Sequence, residues 1–278
     1  MASSKSDFSL TDGHGYTFER SHLEACRLNL QFYLWKDALK FNIHPSIPAS
    51  NSSAIADVAT GTAIWLIDVA RSLPAAQLDG FDIAVTQAPH QKWLPSNIAI
   101  RHWNIFEDVP DDLIGKYDIV HVRLLVLVID NADPRAVMRN LFKLLKPGGY
   151  LQWDELDIVN MTVKKISPSI QSPALDQLCQ MSRGEGRFDW TLQLARVMTE
   201  VGLEDAKLEH FGDGNELIRA FHEQHLLTME GLGARLMKIG EKAAAENVFK
   251  LVEDAYREGT IGAALCIPRV VCVGRKAI

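Results

Sequence analysis

The sequence predicts an α/β protein built on a seven-stranded, mostly parallel sheet, and three observations support this. Short apolar segments alternate with amphipathic helical segments between residues 54 and 153. Strands that are apolar along their whole length are typical of a parallel sheet covered by helices on both faces. The chain of 278 residues, 47% of them hydrophobic, is long enough to bury a large core. We therefore expect one α/β domain with helical additions rather than two domains.

The predicted elements follow in order along the chain. Residues 1–15 are rich in serine, aspartate and glycine, which predicts a flexible N-terminus, and residues 16–50 are predicted to form a helical cap with a helix over 18–39. The α/β domain is expected over residues 51–278. Its strands are predicted at residues 54–59, 77–83, 98–103, 117–125, 150–153, 206–211 and 264–273, and its first helices at 64–72 and 134–145. Helical insertions are expected at about residues 158–190 and 215–258, as lids over the sheet.

Composition excludes several classes of function. The net charge is −6 and no basic block exceeds two residues, so we expect no nucleic-acid partner. The four cysteines show neither CxxC nor zinc-ligand spacing, which predicts a reduced, cytoplasmic protein without a metal site. The longest apolar run, residues 124–129, is too short to cross a bilayer, and residues 1–9 lack the apolar stretch of a signal peptide. We therefore expect no membrane association.

One turn between a strand and a helix is the candidate ligand site. Residues 57–65, DVATGTAIW, place an acidic residue before a run of small residues that leads into a helix. A glycine such as Gly61 lets the backbone approach a ligand, and ligands of open α/β sheets lie beyond the carboxyl ends of the strands. Asp82 ends the second strand, 21 residues after Gly61, where a carboxylate can accept hydrogen bonds from ribose hydroxyls. An ordinary loop that contains one glycine is the alternative.

The turn differs from that of nicotinamide enzymes, whose GxGxxG motif brings a pyrophosphate to helix amides. Here the small residues are Ala59, Gly61 and Ala63, and Asp57 precedes them. This combination suits a ligand that lacks a phosphate and carries a cationic amino-acid end. S-adenosylmethionine is such a ligand.

Together, these segments resemble class I S-adenosylmethionine-dependent methyltransferases. More narrowly, they resemble fungal methyltransferase-like proteins of secondary metabolism that are related to the velvet-complex regulator. The resemblance covers about residues 20–157 and is carried by IADVATGTAIW at 55–65, DGFDI at 79–83, KWLP at 92–95, GKYDIVHVRLL at 115–125 and LLKPGGYLQWDE at 144–155, with RLNLQ at 27–31. It implies a Rossmann-like fold, S-adenosylmethionine as the cofactor and S-adenosylhomocysteine as its product.

The resemblance also implies which residues contact the cofactor. They lie at the strand ends or on the helical cap: Tyr16, Gln31, Asp57, Ala59, Thr60, Gly61, Asp82, Ile83, Asn104, Ile105 and His121. Asp82 would hold the ribose, and Asn104, where the family usually has an acid, would accept a hydrogen bond from the adenine amino group. Ala59 and Ala63 stand where the family usually has glycine, and each methyl is unfavourable if its φ is positive. We expect these small residues to be tolerated.

The candidate catalytic residues are His121, Arg123 and His225. Methyl transfer needs an aligned acceptor and, for a hydroxyl or amine, a group that takes a proton. His121 is the first candidate because it ends a buried strand; a hydrogen-bonded core histidine is the alternative. Arg123 could bind a substrate carboxylate or pair with an acidic residue that follows the fifth strand. His222 and His225, three residues apart on one helix face, could face the substrate or the solvent.

The residues expected to contact the substrate are Phe32, Trp153, Asp154, His222 and Met229. Asp154 could orient a substrate or hold the N-terminal helix. The apolar stripe of residues 226–237 is typical of a core, but it could also roof a cavity for a bulky apolar molecule.

These observations predict a methyltransferase of a small, apolar natural product, with oxygen as the expected acceptor and nitrogen or sulfur left open. The first alternative is a repurposed fold that catalyses a cyclisation or rearrangement, which the alanines at 59 and 63 motivate. The second is a non-catalytic regulator that binds a partner protein. A homodimer is a further expectation.

Overall fold

A computed structural model describes residues 20–129 and 133–278 of the chain. Its helices are α1 (His22–Leu39), α2 (Ile64–Ser72), α3 (Arg135–Leu144), α4 (Pro173–Arg183), α5 (Leu194–Val201), α6 (Ile218–Lys238) and α7 (Lys242–Thr260). Its strands are β1 (Ala54–Val58), β2 (Gln77–Asp82), β3 (Ile98–His102), β4 (Tyr117–Arg123), β5 (Leu145–Leu156), β6 (Thr162–Lys165), β7 (Leu203–Phe211), β8 (Ala263–Cys266) and β9 (Arg269–Lys276). Short 3₁₀ turns connect several of them.

The main sheet has seven strands in the order β3-β2-β1-β4-β5-β9-β7. The five strands from β3 to β5 are parallel, whereas β9 runs antiparallel to both of its neighbours. This confirms the predicted seven-stranded, mostly parallel sheet. The strand order reverses direction along the chain beside β1, so the carboxyl ends of β1 and β4 form the edge at which such sheets bind ligands.

The prediction of a single strand over residues 264–273 is wrong, because the structure has two strands in this segment. The first, β8, pairs with β6 in a separate two-stranded sheet, and the second, β9, lies in the main sheet. Pro268 lies between the two strands. Because proline lacks the N–H that a sheet ladder needs, it interrupts the pairing at this point.

Helices cover both faces of the sheet. Side chains alternate along each strand: Ile55 packs in a cluster with Trp65 and Leu66 of α2. The next residue, Ala56, belongs to the opposite cluster, which includes Met138 of α3. Since both faces of β1 are buried, the strand is apolar at every position but one.

Helix α1 begins at the capping residue Ser21, whose hydroxyl accepts a hydrogen bond from the Glu24 amide, 3.3 Å away. The predicted helix over residues 18–39 is confirmed from His22 onward. The helix buries Gln31 and Phe32 and brings both to the edge of the sheet described below. Within the described residues, no helix is both long and apolar enough to cross a membrane.

Candidate functional site

A cleft lies at the carboxyl ends of the central strands, between the turn after β1 and helix α1. Most of the residues predicted to bind a cofactor line it, and so do two of the other predicted site residues. Those lining the cleft are Gln31, Phe32, Asp57, Ala59, Thr60, Gly61, Asp82, Ile83, Asn104, Ile105, His121 and Arg123. Tyr16 lies outside the described residues.

The turn after β1 has a left-handed backbone at the positions of its three small residues. The φ angles are +59° at Ala59, +55° at Gly61 and +57° at Ala63. A left-handed alanine costs about 1 kcal/mol or more relative to its usual conformation. Ala63 is fully buried, and burial of its methyl offsets about 0.8 kcal/mol of that cost. Both alanines therefore have the unfavourable positive φ that the sequence analysis considered, and the turn nevertheless retains its left-handed conformation.

Asp82 ties the end of β2 to this turn. One carboxylate oxygen accepts the Gly61 amide at 2.8 Å, and the other accepts the Ala84 amide at 2.7 Å. A carboxylate oxygen can accept more than one hydrogen bond, so each keeps a lone pair for a ligand hydroxyl. The carboxylate is partly exposed in the cleft, as a ribose-binding group needs to be.

A buried cluster of charged residues lies beneath the cleft. Asp57 and His121 are opposite each other on β1 and β4, so their side chains project to the same face. His121 Nδ1 is 2.7 Å from Asp57 Oδ1, and its Nε2 is 3.2 Å from Asp154 Oδ2. The other oxygen of Asp57 accepts the Thr60 hydroxyl at 2.6 Å. Strands β1, β4 and β5 and the turn are thereby connected.

Burial and hydrogen bonding act in opposite directions on the pKa of His121. Burial of the imidazole lowers the pKa, but its hydrogen bonds to Asp154 and Asp57 outweigh this effect and hold the pKa of His121 above its ordinary value. For Asp154, burial raises the pKa, but the charge of Arg123 and the hydrogen bond with His121 outweigh this effect and keep the pKa below its usual range. Both shifts favour the charged forms of His121 and Asp154.

This geometry bears directly on the catalytic residues predicted on β4. Both ring nitrogens of His121 are engaged by carboxylates, which corresponds to a hydrogen-bonded core histidine and leaves neither nitrogen to take a substrate proton. Arg123 donates to Asp154 from Nη2 at 2.6 Å and from Nε at 3.0 Å. The structure thus realises the predicted pairing of Arg123 with an acidic residue, although Asp154 lies within β5 and not after it. The Arg123 side chain still borders the cleft.

The two residues of β5 that the sequence analysis expected to contact the substrate lie away from the cleft. Asp154 is fully buried against His121 and Arg123 and does not line the cleft. Trp153 points to the opposite face of the sheet, where it packs edge-on against Trp190 at 5.8 Å between ring centroids. The prediction failed because both residues precede the strand's end at Leu156, so their side chains project into the layers that cover the sheet and not beyond its edge.

The residues predicted on α6 do not line the cleft either, so far as its described walls extend. His222 is buried against Gly259 of α7, and burial lowers its pKa. His225 Nε2 is 3.3 Å from the Ser182 hydroxyl, and burial lowers the pKa of His225 to about 4. Met229 belongs to the hydrophobic core. Within the described part of the chain, these two histidines therefore lie against α4 and α7, away from the cleft.

Several cleft residues were missed by the sequence analysis. Trp65, in the first turn of α2, stacks on His121, and an aromatic residue so soon after the small-residue turn was the available signal. Leu124, Leu125 and Val128 form an apolar wall after β4. Gln87 also lines the cleft, and its buried side-chain nitrogen has no partner within the described part of the chain. A bound ligand with an acceptor atom would satisfy it.

Comparison with known proteins agrees with this arrangement. Residues 56–151 match the family described as a methyltransferase domain. The methyltransferase grgD of Penicillium sp is 41% identical over 143 residues, which are 48% of this chain and 50% of the relative. The N-methyltransferase tcpN of Claviceps purpurea is 34% identical over 152 residues, 53% of each chain. The chain spans about half the length of these curated relatives.

One solved structure shows the fold. The chain is 13% identical to phosphoethanolamine N-methyltransferase 2 of Haemonchus contortus, solved with S-adenosyl-L-methionine. The match has a TM-score of 0.55 and covers 99% of this chain and 61% of the other. The chain thus shares the fold of this methyltransferase, and its residues 56–151 are similar to the methyltransferase-domain family and to fungal methyltransferases.

Proposed function

We propose that the chain is an S-adenosylmethionine-dependent methyltransferase of small molecules. The observation that carries the proposal is the hydrogen bond from the Gly61 amide to Asp82. It joins the left-handed turn of the methyltransferase domain to a partly exposed carboxylate at the ends of two adjacent parallel strands. This is the edge where such sheets bind nucleotide-like ligands.

The cleft residues fit the cofactor at both of its ends. Asp82 would accept the ribose hydroxyls, and the turn at residues 59–61 would hold the amino-acid end. Asn104 Oδ1 already accepts the Phe106 amide at 3.1 Å and keeps a lone pair for the adenine amino group. The side-chain nitrogen of Gln87, which has no partner among the described residues, would donate to a ring nitrogen. When bound, S-adenosylmethionine supplies a methyl group on a positively charged sulfur.

The apolar walls of the cleft support a small, apolar acceptor. Leu28 and Phe32 of α1 face the cleft from one side, and Leu124 and Val128 from the other. Such side chains exclude water and align an apolar acceptor without specifying its polar groups. This agrees with the apolar natural product expected from the sequence.

The proposed atom that accepts the methyl group depends on which side chains of the cleft could remove a proton from it. Both nitrogens of His121 already form hydrogen bonds, and the Asp57 carboxylate is buried and held by His121 and Thr60. An acceptor that attacks before it loses a proton suits this cleft better than a neutral alcohol does. A neutral nitrogen is such an acceptor, and so is an oxygen that is already ionised. Nitrogen therefore joins the predicted oxygen as a proposed acceptor, and the name of the tcpN relative supports it.

Labelled donor tests the function directly. The protein is incubated with methyl-labelled S-adenosylmethionine and a panel of apolar amines, amides and phenols, and products are followed by mass spectrometry. A product heavier by one labelled methyl group supports the proposal. An isomer of unchanged mass would instead support the cyclisation or rearrangement considered above, and a stoichiometric protein partner without turnover would support the regulator. The predicted homodimer and cytoplasmic location stay predictions.

A further inference from the structure

Both ring nitrogens of His121 face hydrogen-bond acceptors, but a neutral imidazole can donate to only one of them. A neutral ring carries one N–H and one bare nitrogen, whereas an imidazolium carries two N–H groups. Both nitrogens of His121 face carboxylate oxygens, of Asp57 at 2.7 Å and of Asp154 at 3.2 Å. Ionised carboxylates only accept, so a neutral ring would turn a lone pair toward one of them. With both carboxylates ionised, the geometry requires the charged ring.

The groups packed around the ring balance this charge. Asp57 approaches from β1, Asp154 from β5, and Arg123 follows two residues later on β4. The face of the ring on the α2 side is covered by the neutral indole of Trp65. With His121 charged, two positive and two negative groups share the buried site. Loss of the proton would leave it with an uncompensated negative charge, which is costly in the interior.

The cluster extends from His121 to the cleft. The second oxygen of Asp57 accepts the Thr60 hydroxyl at 2.6 Å. The Thr60 amide donates to the Phe81 carbonyl at 3.0 Å, and the next amide, of Gly61, donates to Asp82. The turn that would hold the cofactor is therefore fixed on one side by the imidazole and on the other by β2.

We propose that His121 is a positioning residue, an imidazolium that holds the Asp57 carboxylate and through it the turn at residues 59–63 in the conformation that binds the cofactor. The role rests on the proposed function but differs from that of a proton acceptor. His121 acts through Asp57 and Thr60, and it keeps its proton throughout the reaction.

Two substitutions separate positioning from simple filling of space. In His121→Asn, the side-chain amide can replace Nδ1 and still donate to Asp57. In His121→Gln, the longer amide can replace Nε2 and reach Asp154, but it leaves Asp57 without its partner. A matched control is Tyr117→Phe, which removes a buried 2.7 Å hydrogen bond to Asp79. Tyr117 lies on β4, like His121, but at the amino end of the strand, away from the cleft.

Calorimetry with S-adenosylhomocysteine measures the effect without an acceptor. We expect affinity to fall about tenfold or more in His121→Gln, since a charge-assisted hydrogen bond at the turn is lost. His121→Asn should retain more of the affinity, and Tyr117→Phe should change it less than twofold. Equal losses in all three variants would overturn the proposal, because they would report only general destabilisation.

The charge of the ring is measured separately on the full chain without any ligand. In protein labelled with ¹⁵N-histidine, the two nitrogens of His121 should have imidazolium chemical shifts at pH 7.5, and the Thr60 and Gly61 amide shifts should follow its titration at higher pH. Neutral-imidazole shifts, or amides that ignore the titration, would overturn the proposal. If the wild type fails to bind S-adenosylhomocysteine, the proposed function fails, while these spectra still decide the state of His121.

Discussion

The imidazole of His121 lies flat against the indole of Trp65, with ring centroids 3.9 Å apart and an angle of 3° between the planes. A charged ring over an indole face gains a cation–π attraction that a neutral ring lacks. Trp65 lies in the first turn of α2, so the stack joins the helix that follows the ligand turn to the charged cluster beneath it.

Removal of this stack should destabilise the protein and lower the pKa of His121. Trp65 is 4% exposed, and truncation of a buried tryptophan costs about 3 kcal/mol or more of unfolding free energy. We expect Trp65→Ala to lose this amount in urea denaturation and to shift the pKa of His121 downward in histidine NMR spectra. Trp65→Phe should lose less of both. An unchanged pKa of His121 in Trp65→Ala would show that the stack does not stabilise the charged ring.

The two left-handed alanines should respond differently to glycine. Ala59→Gly removes the cost of a left-handed side chain, but glycine also gives the unfolded chain more conformational freedom, so the variant should be more stable by about 1 kcal/mol or less. Ala63→Gly gains the same backbone relief but loses a fully buried methyl, worth about 0.8 kcal/mol, so it should be close to neutral. Urea denaturation of both variants checks this order, and the reverse order would contradict it.

Glu155 should make stability depend on pH. Its carboxyl is fully buried and accepts the Val126 amide at 3.1 Å, and burial raises the pKa of Glu155 to about 8. Because the folded-state pKa lies above the unfolded one, this contribution is fully present below about pH 4.5 and is lost as the pH rises through 8. Glu155→Gln should therefore flatten the decline of stability between pH 5 and 8.

The midpoint of urea denaturation, measured at several pH values in this window, checks the Glu155 prediction. The matched control is Glu200→Gln, at an exposed carboxylate paired with Arg135 and Arg196, where hydrogen bonds to these arginines lower the pKa. That variant should leave the slope between pH 5 and 8 unchanged. An equal change of slope in the two variants would show that buried Glu155 is not the group responsible.

The sheet and the ligand edge could be predicted because they depend on local patterns. Apolar strands indicate a parallel sheet, and Asp57, Gly61 and Asp82 follow from where each strand ends. The buried cluster depends on pairing between distant strands, since Asp57 and His121 are 64 residues apart. No spacing rule indicates that Asp154 completes this cluster rather than facing a substrate. The histidines of α6 were misjudged for the same reason, because α4 and α7 enclose them only in the folded chain.

The most direct test of the account is the affinity of the protein for S-adenosylhomocysteine when Asp82 is removed. Loss of this carboxylate takes away the ribose acceptors and the bond to the Gly61 amide. We expect the wild type to bind in calorimetry and Asp82→Ala to lose at least about tenfold in affinity. Asp112→Ala, at an exposed carboxylate paired with Arg101, should bind like the wild type. No heat from the wild type, or no loss in Asp82→Ala, would contradict the account.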